Sequence, residues 1–326
     1  MSSKVAFILV CWNNQDLLGE GYESIKAQTY KDHVTVMVDN GSKDASVEFT
    51  KREYDWVDVY ESGKNLGFAK GNNVGIAYAL EKYPDIEYVV LLNSDARLKD
   101  DWLETMLEFA ANKPKGALFQ STTLDYYNHE IVDSTHIFVS HNGSGTQYGW
   151  RTPYLGDTGP KKVFGVNAAA AMVSRSFLDH QPFANLFDNT LFMYLEDVDI
   201  SARATTMGWD NYLVPGTQAY HMGSASSGKN PGFSLYMTYR NNIAVLAKNL
   251  PWSMLLKMSF SMLKADRHTI KHLKRTGQGK VVGKLIKGRL VGILRLPLYL
   301  PGILKMHRYR KSVSKEYLRQ LMEKGY

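Results

Sequence analysis

The first half of the chain alternates short apolar runs with stretches in which apolar positions recur at helical spacing. Val5 to Trp12 reads as a strand, Asp16 to Gln28 as a helix, Val34 to Asp39 as a strand and Ala45 to Tyr54 as a helix. The short run Val57 to Glu61, a helix from Asn72 to Tyr83, the strand Tyr88 to Leu92, a helix from Trp102 to Asn112 and a strand from Ala117 to Ser121 continue the series. This alternation predicts an α/β domain with a mainly parallel central sheet. Polar residues sit where the strands end: Asn13, then Asp39-Asn40, then Asn93-Ser94-Asp95. In open α/β sheets that carboxyl edge is where ligands bind.

The periodicity weakens from Thr122 to Lys162, a stretch rich in Gly, Asn, His, Tyr and Ser that reads as irregular or hairpin structure shaping a pocket. Phe164 to Val173 reads as a buried strand of small side chains, and Glu196 to Met207 has helical spacing. Beyond Pro251 the pattern changes. Val282, Leu285, Ile286, Leu290, Ile293 and Leu294 recur at helical spacing with Lys284, Lys287 and Arg295 among them, and Pro297 ends the run. The chain therefore divides into a body, residues 1–250, and a helical extension, residues 251–326. The apolar runs of the extension fall short of the ~20 residues that span a bilayer. It is expected to lie on a membrane, to pack on the body, or both.

Charge sharpens this division. The chain has 39 Lys+Arg and 32 Asp+Glu. From Pro251 onward there are 18 basic and 3 acidic residues, a balance of +15, which leaves 21 basic and 29 acidic residues before it, a balance of −8. Positive charge that is segregated and interleaved with Leu, Ile, Val, Met and Tyr suits an anionic membrane surface better than nucleic acid. The only cysteine, Cys11, lies inside the first apolar run, so no internal disulfide forms and a reducing compartment is expected. The N-terminal run lacks a small-residue cleavage pattern and reads as a strand rather than a signal peptide.

Four short motifs carry candidate chemistry. Asp39 ends a strand in Val-Asp-Asn-Gly-Ser-Lys-Asp, where Gly41 permits a tight turn and Ser42 or Asp44 can cap the next helix; by itself this is turn chemistry. Asn65-Leu66-Gly67-Phe68-Ala69-Lys70-Gly71 places two glycines and a lysine before a helix, where exposed amides and Lys70 can meet a diphosphate. Neither Gly-x-x-x-x-Gly-Lys-Ser/Thr nor Gly-x-Gly-x-x-Gly is present, so ATPase and dinucleotide-oxidoreductase readings lose their main support. Asn93-Ser94-Asp95 puts a carboxylate at a strand end, which suits Mg²⁺ or Mn²⁺ when a diphosphate supplies further oxygens, though an Asx turn has the same look. Glu196-Asp197-Val198-Asp199 opens a helix after an apolar run; the helix dipole alone favours acids there, and desolvation can equally make one of them a general base. His221, at the end of Tyr212 to Tyr220, reads by itself as structural.

The order of these motifs along the chain resembles glycosyltransferase family 2, the inverting enzymes of the GT-A fold, over roughly Lys4 to Asn242. The resemblance implies a nucleoside-diphosphate sugar donor and a divalent metal, Mg²⁺ or Mn²⁺. It implies that Asp39 contacts the nucleoside, with Ser42, Asn65, Gly67, Lys70 and Asn93 at the nucleotide. Asp95 becomes the metal-binding end of a DxD-like motif that here begins with Asn93, with His221 near the metal and Arg240 as a phosphate contact. Asp197 becomes the base and Glu196 a contact to acceptor or sugar. Within the family, Asn-Leu-Gly-Phe-Ala-Lys-Gly-Asn-Asn together with Leu-Glu-Asp-Val-Asp-Ile-Ser is similar to bacterial rhamnosyltransferases of surface-polysaccharide assembly. That narrower likeness implies a dTDP-rhamnose donor, with a UDP-hexose or UDP-galactofuranose as alternatives. It implies a glycan or polyprenyl-diphosphate-linked acceptor and a place on the cytoplasmic face of the cell membrane. Two rivals fit less well: a sugar-nucleotide pyrophosphorylase needs a basic glycine-rich loop near the N-terminus, and Val10 to Glu20 has no Lys or Arg. A non-catalytic membrane-surface protein has no need of both Asp95 and Asp197.

Overall fold

The structure is a computed structural model that describes residues 4–223 and 231–310. Residues 311–326 of the basic extension lie outside the described residues. The expected alternation holds through the first half: β1 (Val5–Cys11), α1 (Gln15–Lys26), β2 (His33–Asp39), α2 (Ser46–Glu53), β3 (Asp58–Glu61), α3 (Gly67–Lys82) and β4 (Tyr88–Leu92). A short β5 (Ala96–Leu98), α4 (Trp102–Ala111) and β6 (Gly116–Asp125) follow. The segment expected to be hairpin or irregular contains β7 (Val132–Ser134), the hairpin β8 (His136–Val139) with β9 (Gly145–Tyr148), and β10 (Lys161–Val163). Next come β11 (Ala170–Ser174), α5 (Arg175–His180), α6 (Glu196–Thr206), β12 (Asp210–His221) and α7 (Pro231–Asn249). The extension forms α8 (Trp252–Arg275), α9 (Val282–Leu294) and α10 (Leu296–Tyr309), with Pro297 in the first turn of α10.

The main path of the sheet runs β10-β12-β6-β11-β4-β1-β2-β3. Strands β3, β2, β1, β4, β6 and β12 share one direction, while β11 and the edge strand β10 run against them. Helices cover both faces, which is why the strands read as nearly continuous apolar runs. Alternate residues of β1 feed opposite cores. Phe7 and Leu9 pack with Leu18, Tyr22, Trp102 and Met106, whereas Ala6 and Ile8 pack with Ile76, Phe177 and Ile200.

Two elements differ from their sequence reading. The strand expected from Phe164 to Val173 begins only at Ala170. Before it, side chains replace the ladder: Val166 N–H donates to Ser201 Oγ, Asn167 N–H to Gln120 Oε1 and Ala169 N–H to Asn167 Oδ1. Helix α3 begins at Gly67 rather than Asn72, so the glycine motif is helix rather than loop. Its glycines recur every fourth residue and let the helix lie close on the sheet. A Cβ on Gly71 would fall 2.9 Å from Val10 Cγ1, and one on Gly75 2.7 Å from both Ile8 and Val38. Gly67, at φ +79°, would put a Cβ 2.4 Å from the Phe192 carbonyl.

The extension docks by the same device. Cβ atoms on Gly288 and Gly292 of α9 would come within 2.5 Å of the carbonyls of Tyr236 and Arg240 on α7, so bare backbone meets bare backbone where the helices cross. Among the described residues no helix is long and apolar enough to cross a membrane.

The glycine contacts give a direct stability test. Gly75→Ala overpacks α3 against Ile8 and Val38 and is expected to lower unfolding free energy by about 1–3 kcal/mol. Gly283→Ala, in a helix with nothing within 4 Å of its added methyl, should be neutral or stabilising by up to about 1 kcal/mol. Urea denaturation of the two variants beside the parent measures both.

Candidate active site

Strand direction assembles the site. β1, β2 and β4 end at one edge with Asn14, Asn40 and Asn93-Ser94-Asp95, and β12 brings His221 to the same edge, paired with Ala96. Because β11 runs the other way, the residues just before it, Ala168-Ala169, reach this edge too. The residues line a cleft of about 430 Å³, closed on one side by Ile137 and Gly145 to Gln147 of the β8–β9 hairpin and on another by Met193 to Val198. That volume is in the usual range of a small-molecule site.

The segment that delivers the acidic pair is strained. Phe192, Tyr194 and Leu195 have φ of +65°, +72° and +68°, left-handed conformations in which side chains are crowded. Asn241 of α7 holds it: the fully buried side-chain amide donates to the carbonyls of Leu191, Met193 and Tyr194 at 3.0, 2.9 and 2.8 Å. Helix α6 then starts at Glu196 and turns its acids in different directions. Asp199 is fully buried away from the cleft and bound by Arg203 at 2.7 Å and Lys248 at 2.8 Å. Glu196 and Asp197 line the cleft.

These two carboxyls have unlike surroundings. Burial raises the proton affinity of both. Glu196 is raised further by the charge of Asp197, and its Oε2 is buried without a hydrogen-bond partner. Asp197 is held back by backbone amides, including Val198 N–H at 2.7 Å from Oδ1 and that of Ala168. The environment thus raises Glu196 more than Asp197, an arrangement that favours an acid beside a base.

In the lining of the same cleft, Asp95 and His221 meet with Nε2 3.3 Å from Oδ1, and Asn93 Nδ2 lies 3.4 Å from the same Nε2. The other ring nitrogen, Nδ1, lies 3.0 Å from Asp133 Oδ2 on β7. Burial works against charge on this imidazole, but the two carboxylates outweigh it and push its pKa up to about 9. Asp133 also fixes the ring so that Nε2 faces Asp95, as carboxylates behind metal-bound histidines do. Among the described residues no cluster of three or more His, Cys, Asp or Glu side chains is arranged to hold a cation alone. One carboxylate, and the imidazole once Nε2 has given up its proton, nonetheless fit a divalent ion that takes its other ligands from a diphosphate and water.

The remaining expected residues are spread around this centre. Asn65 lines the cleft; its Oδ1 accepts from Gly67 N–H at 2.8 Å and from Asn40 Nδ2 at 3.3 Å. The buried Asp39 caps its own turn, accepting from the amides of Gly41 and Ser42 at 3.2 and 3.1 Å. Ser42 Oγ accepts from Asn13 N–H, and it is Asp44 that accepts from Ser46 N–H at the start of α2. Lys70 is exposed outside the cleft lining, and the amides of Leu66, Gly67 and Ala69 are taken by Asn40, Asn65 and the Phe192 carbonyl. The guanidinium of Arg240 likewise lies outside the lining and donates to the carbonyls of Thr190 and Leu191.

A family model described as glycosyl transferase family 2 matches residues 6–181, just over half of the chain. The chain belongs to glycosyltransferase family 2. It is 24% identical over 241 residues to N-acetylglucosaminyl-diphospho-decaprenol L-rhamnosyltransferase of Mycobacterium tuberculosis, covering 69% of this chain and 78% of that one. It is 25% identical over 236 residues to rhamnosyltransferase WbbL of Escherichia coli, covering 67% and 83%. Its fold is similar to that of a mannosyltransferase from Pyrobaculum calidifontis solved with GDP-mannose and Mn²⁺, with a TM-score of 0.55 and 14% identity over 94% of this chain and 87% of that one. The fold of the transferase is GT-A, as expected.

Asp133 and Asn241 escaped the sequence reading. Asp133 lies in a weakly patterned segment, and Asn241 is one polar residue in the run Arg-Asn-Asn; neither has a spacing that marks it. Replacing Asn241 with Leu keeps much of the volume and removes the donor from three carbonyls. The transferase is then expected to lose at least about 2 kcal/mol of stability and most of its turnover. Chemical denaturation alongside donor turnover tests this, and parent-like values for both would show that the strained segment holds itself.

Proposed function

We propose that this transferase moves L-rhamnose from dTDP-rhamnose to a hydroxyl of a lipid-diphosphate-linked glycan, with inversion, at the cytoplasmic face of a membrane. The observation that carries the transfer reading is the single cleft in which Asp95 and His221 face the Glu196–Asp197 pair. Rhamnose and the lipid-linked acceptor are suggested by the names of the two relatives and by the motif likeness. Asp197, the carboxyl favoured in its ionised form, takes the proton of the acceptor hydroxyl. The hydroxyl oxygen forms the new bond to the anomeric carbon from the face opposite the diphosphate. The bond from that carbon to the diphosphate oxygen breaks, and its electron pair leaves with the oxygen. Glu196, kept protonated, donates a hydrogen bond to a sugar or acceptor oxygen. Asp95 and His221 would hold a divalent cation, which supplies charge neutralisation for the leaving diphosphate. Asp39, Ser42 and Asn65 are assigned to the nucleoside side; Lys70 and Arg240 lie outside the cleft lining, with Arg240 engaged by the Thr190 and Leu191 carbonyls, and neither is assigned to the phosphates.

The membrane assignment rests on the outward faces of the extension. Trp252, Leu256, Phe260 and Leu263 form one stripe along α8, with Leu256 75% and Phe260 78% exposed. Ile286, Leu290, Ile293 and Leu294 of α9 and Leu298 and Leu304 of α10 are exposed as well. So much apolar side chain in water, flanked by Lys257, Lys264, Lys284 and Lys287, suits the interface of an anionic bilayer.

Asp197→Asn keeps the shape of the side chain but cannot take a proton, and transfer should fall about 10²- to 10⁴-fold with donor affinity kept. A folded variant that binds donor and turns over at the parent rate would remove Asp197 from the mechanism. Because burial raises both carboxyls, the acid limb of the pH–rate profile should lie above the ordinary aspartate value of 3.8, activity being lost as pH falls and Asp197 protonates. Activity should also decline at higher pH as Glu196 ionises, and Glu196→Gln should flatten that alkaline limb while remaining the milder variant. For the membrane, the triple substitution Leu256→Ser, Phe260→Ser and Leu263→Ser is expected to weaken sedimentation with phosphatidylserine-containing vesicles at least ~10-fold, since each large apolar side chain contributes ~1.5–3 kcal/mol when fully buried. Equal sedimentation of parent and triple variant would place the contact elsewhere.

A further inference from the structure

A second cavity of about 250 Å³ adjoins the cleft and shares Gly145 and Thr238 with it. The β8–β9 turn, α7, α8 and α9 surround it, so it exists only because the extension packs on the body. Its wall is a fixed polar array. Arg289 makes a two-pronged pair with Asp266 at 2.8 and 2.9 Å and donates from a third nitrogen to Asn242 Oδ1 at 2.8 Å. Asn242 in turn donates to the Gly143 carbonyl at 2.7 Å, and the guanidinium lies 4.6 Å from the Tyr239 ring centre. Three of the five N–H donors of Arg289 are accounted for by these bonds, and the carboxylate of Asp266 keeps further lone pairs.

The charges of Arg289 and Asp266 cancel, so the array offers a phosphate little, while it presents donors and acceptors side by side at fixed spacing. That combination matches the neighbouring hydroxyls of a neutral sugar. The position agrees. Ala265 of α8 lines the cavity and stands nine residues after Leu256, about half a turn around the helix from the exposed apolar stripe. The inner faces of α8 and α9 therefore bound a polar cavity that adjoins the cleft, while their outer faces carry exposed apolar side chains. Such a cavity lies between the outer apolar faces and the cleft that holds Asp197, on the side from which a lipid-linked glycan would approach.

We infer that this cavity is the acceptor-saccharide subsite, binding the neutral sugar of the acceptor through Asp266, Arg289 and Asn242. The inference rests on the glycosyl-transfer reading above. It is tested by filling the cavity from a side chain outside the catalytic machinery, with Ala265→Leu and Ala265→Trp as plugs of graded size. The probes are dTDP-rhamnose as donor and N-acetylglucosaminyl diphosphate on a short prenyl chain as acceptor. The acceptor KM should rise with plug size, at least tenfold for Ala265→Trp, while kcat changes less and both donor affinity and slow donor hydrolysis by water stay at parent levels. Ala265→Leu keeps the test informative if the larger plug does not fold. An unchanged acceptor KM, a fall in kcat alone, or a rise in donor KM would overturn the assignment. A parent enzyme that neither hydrolyses nor transfers from any nucleotide sugar would instead remove the transfer reading itself.

Discussion

The paired acids of the cleft, Glu196 and Asp197, depend on one constraint, the left-handed backbone at Phe192, Tyr194 and Leu195. A non-glycine residue held in such a conformation costs of order 1–3 kcal/mol, so three in four positions persist only where surrounding bonds determine them. Here the determining bonds come from Asn241, whose amide gathers three carbonyls, with Arg240 taking those of Thr190 and Leu191. The Phe192 carbonyl adds a tie to the other side of the cleft by accepting from Ala69 N–H. The turn therefore connects the first-half domain to α7, and Glu196 and Asp197 are aimed by what it connects.

The third acid of the motif supplies the anchorage. Asp199 is sealed in the interior with Arg203, Lys248 and Asn249 around it. Removing one partner of such a buried group strands the others, which makes the network hard to rearrange. Lys248 also reaches Asp188, ahead of the strained turn, so both flanks of the turn are tied to α7. The same helical segment thus holds an acid that is fully paired and, a turn earlier, one whose Oε2 has no partner. Full pairing makes Asp199 structural. The lack of it leaves Glu196 available to a ligand.

Helix α7 organises the second half of the molecule in both directions. One side carries the amides and cations that hold the acidic segment; another receives α9 through Gly288 and Gly292. Close backbone contact fixes the extension to the body, which is how a basic, apolar-faced set of helices comes to border a polar cavity beside the cleft. The division of charge between body and tail follows from these two surroundings, an acidic body around a cleft and a basic tail that presents apolar side chains outward.

Much of this was legible in the residues themselves. Continuous apolar runs and helical spacing mark β1, β2, β4 and α4 to within a residue or two, because burial on both faces leaves little choice of side chain. The polar residues at strand ends mark the binding edge, and the order of Asp95, Glu196-Asp197 and His221 marks the family. Other features were set by contacts between distant segments, which local patterns do not record. The glycine motif reads as a loop because glycines favour turns, yet it forms helix α3, since the sheet beneath Gly71 and Gly75 leaves no room for side chains. The reversal of β11 brings Ala168 to the cleft, and β7 sets Asp133 behind His221. Sequence placed acids at the start of a helix. Which of them meets a cation, which an amide and which keeps an oxygen without a partner is decided by tertiary packing, because a carboxyl's chemistry is set by the groups that surround it in space.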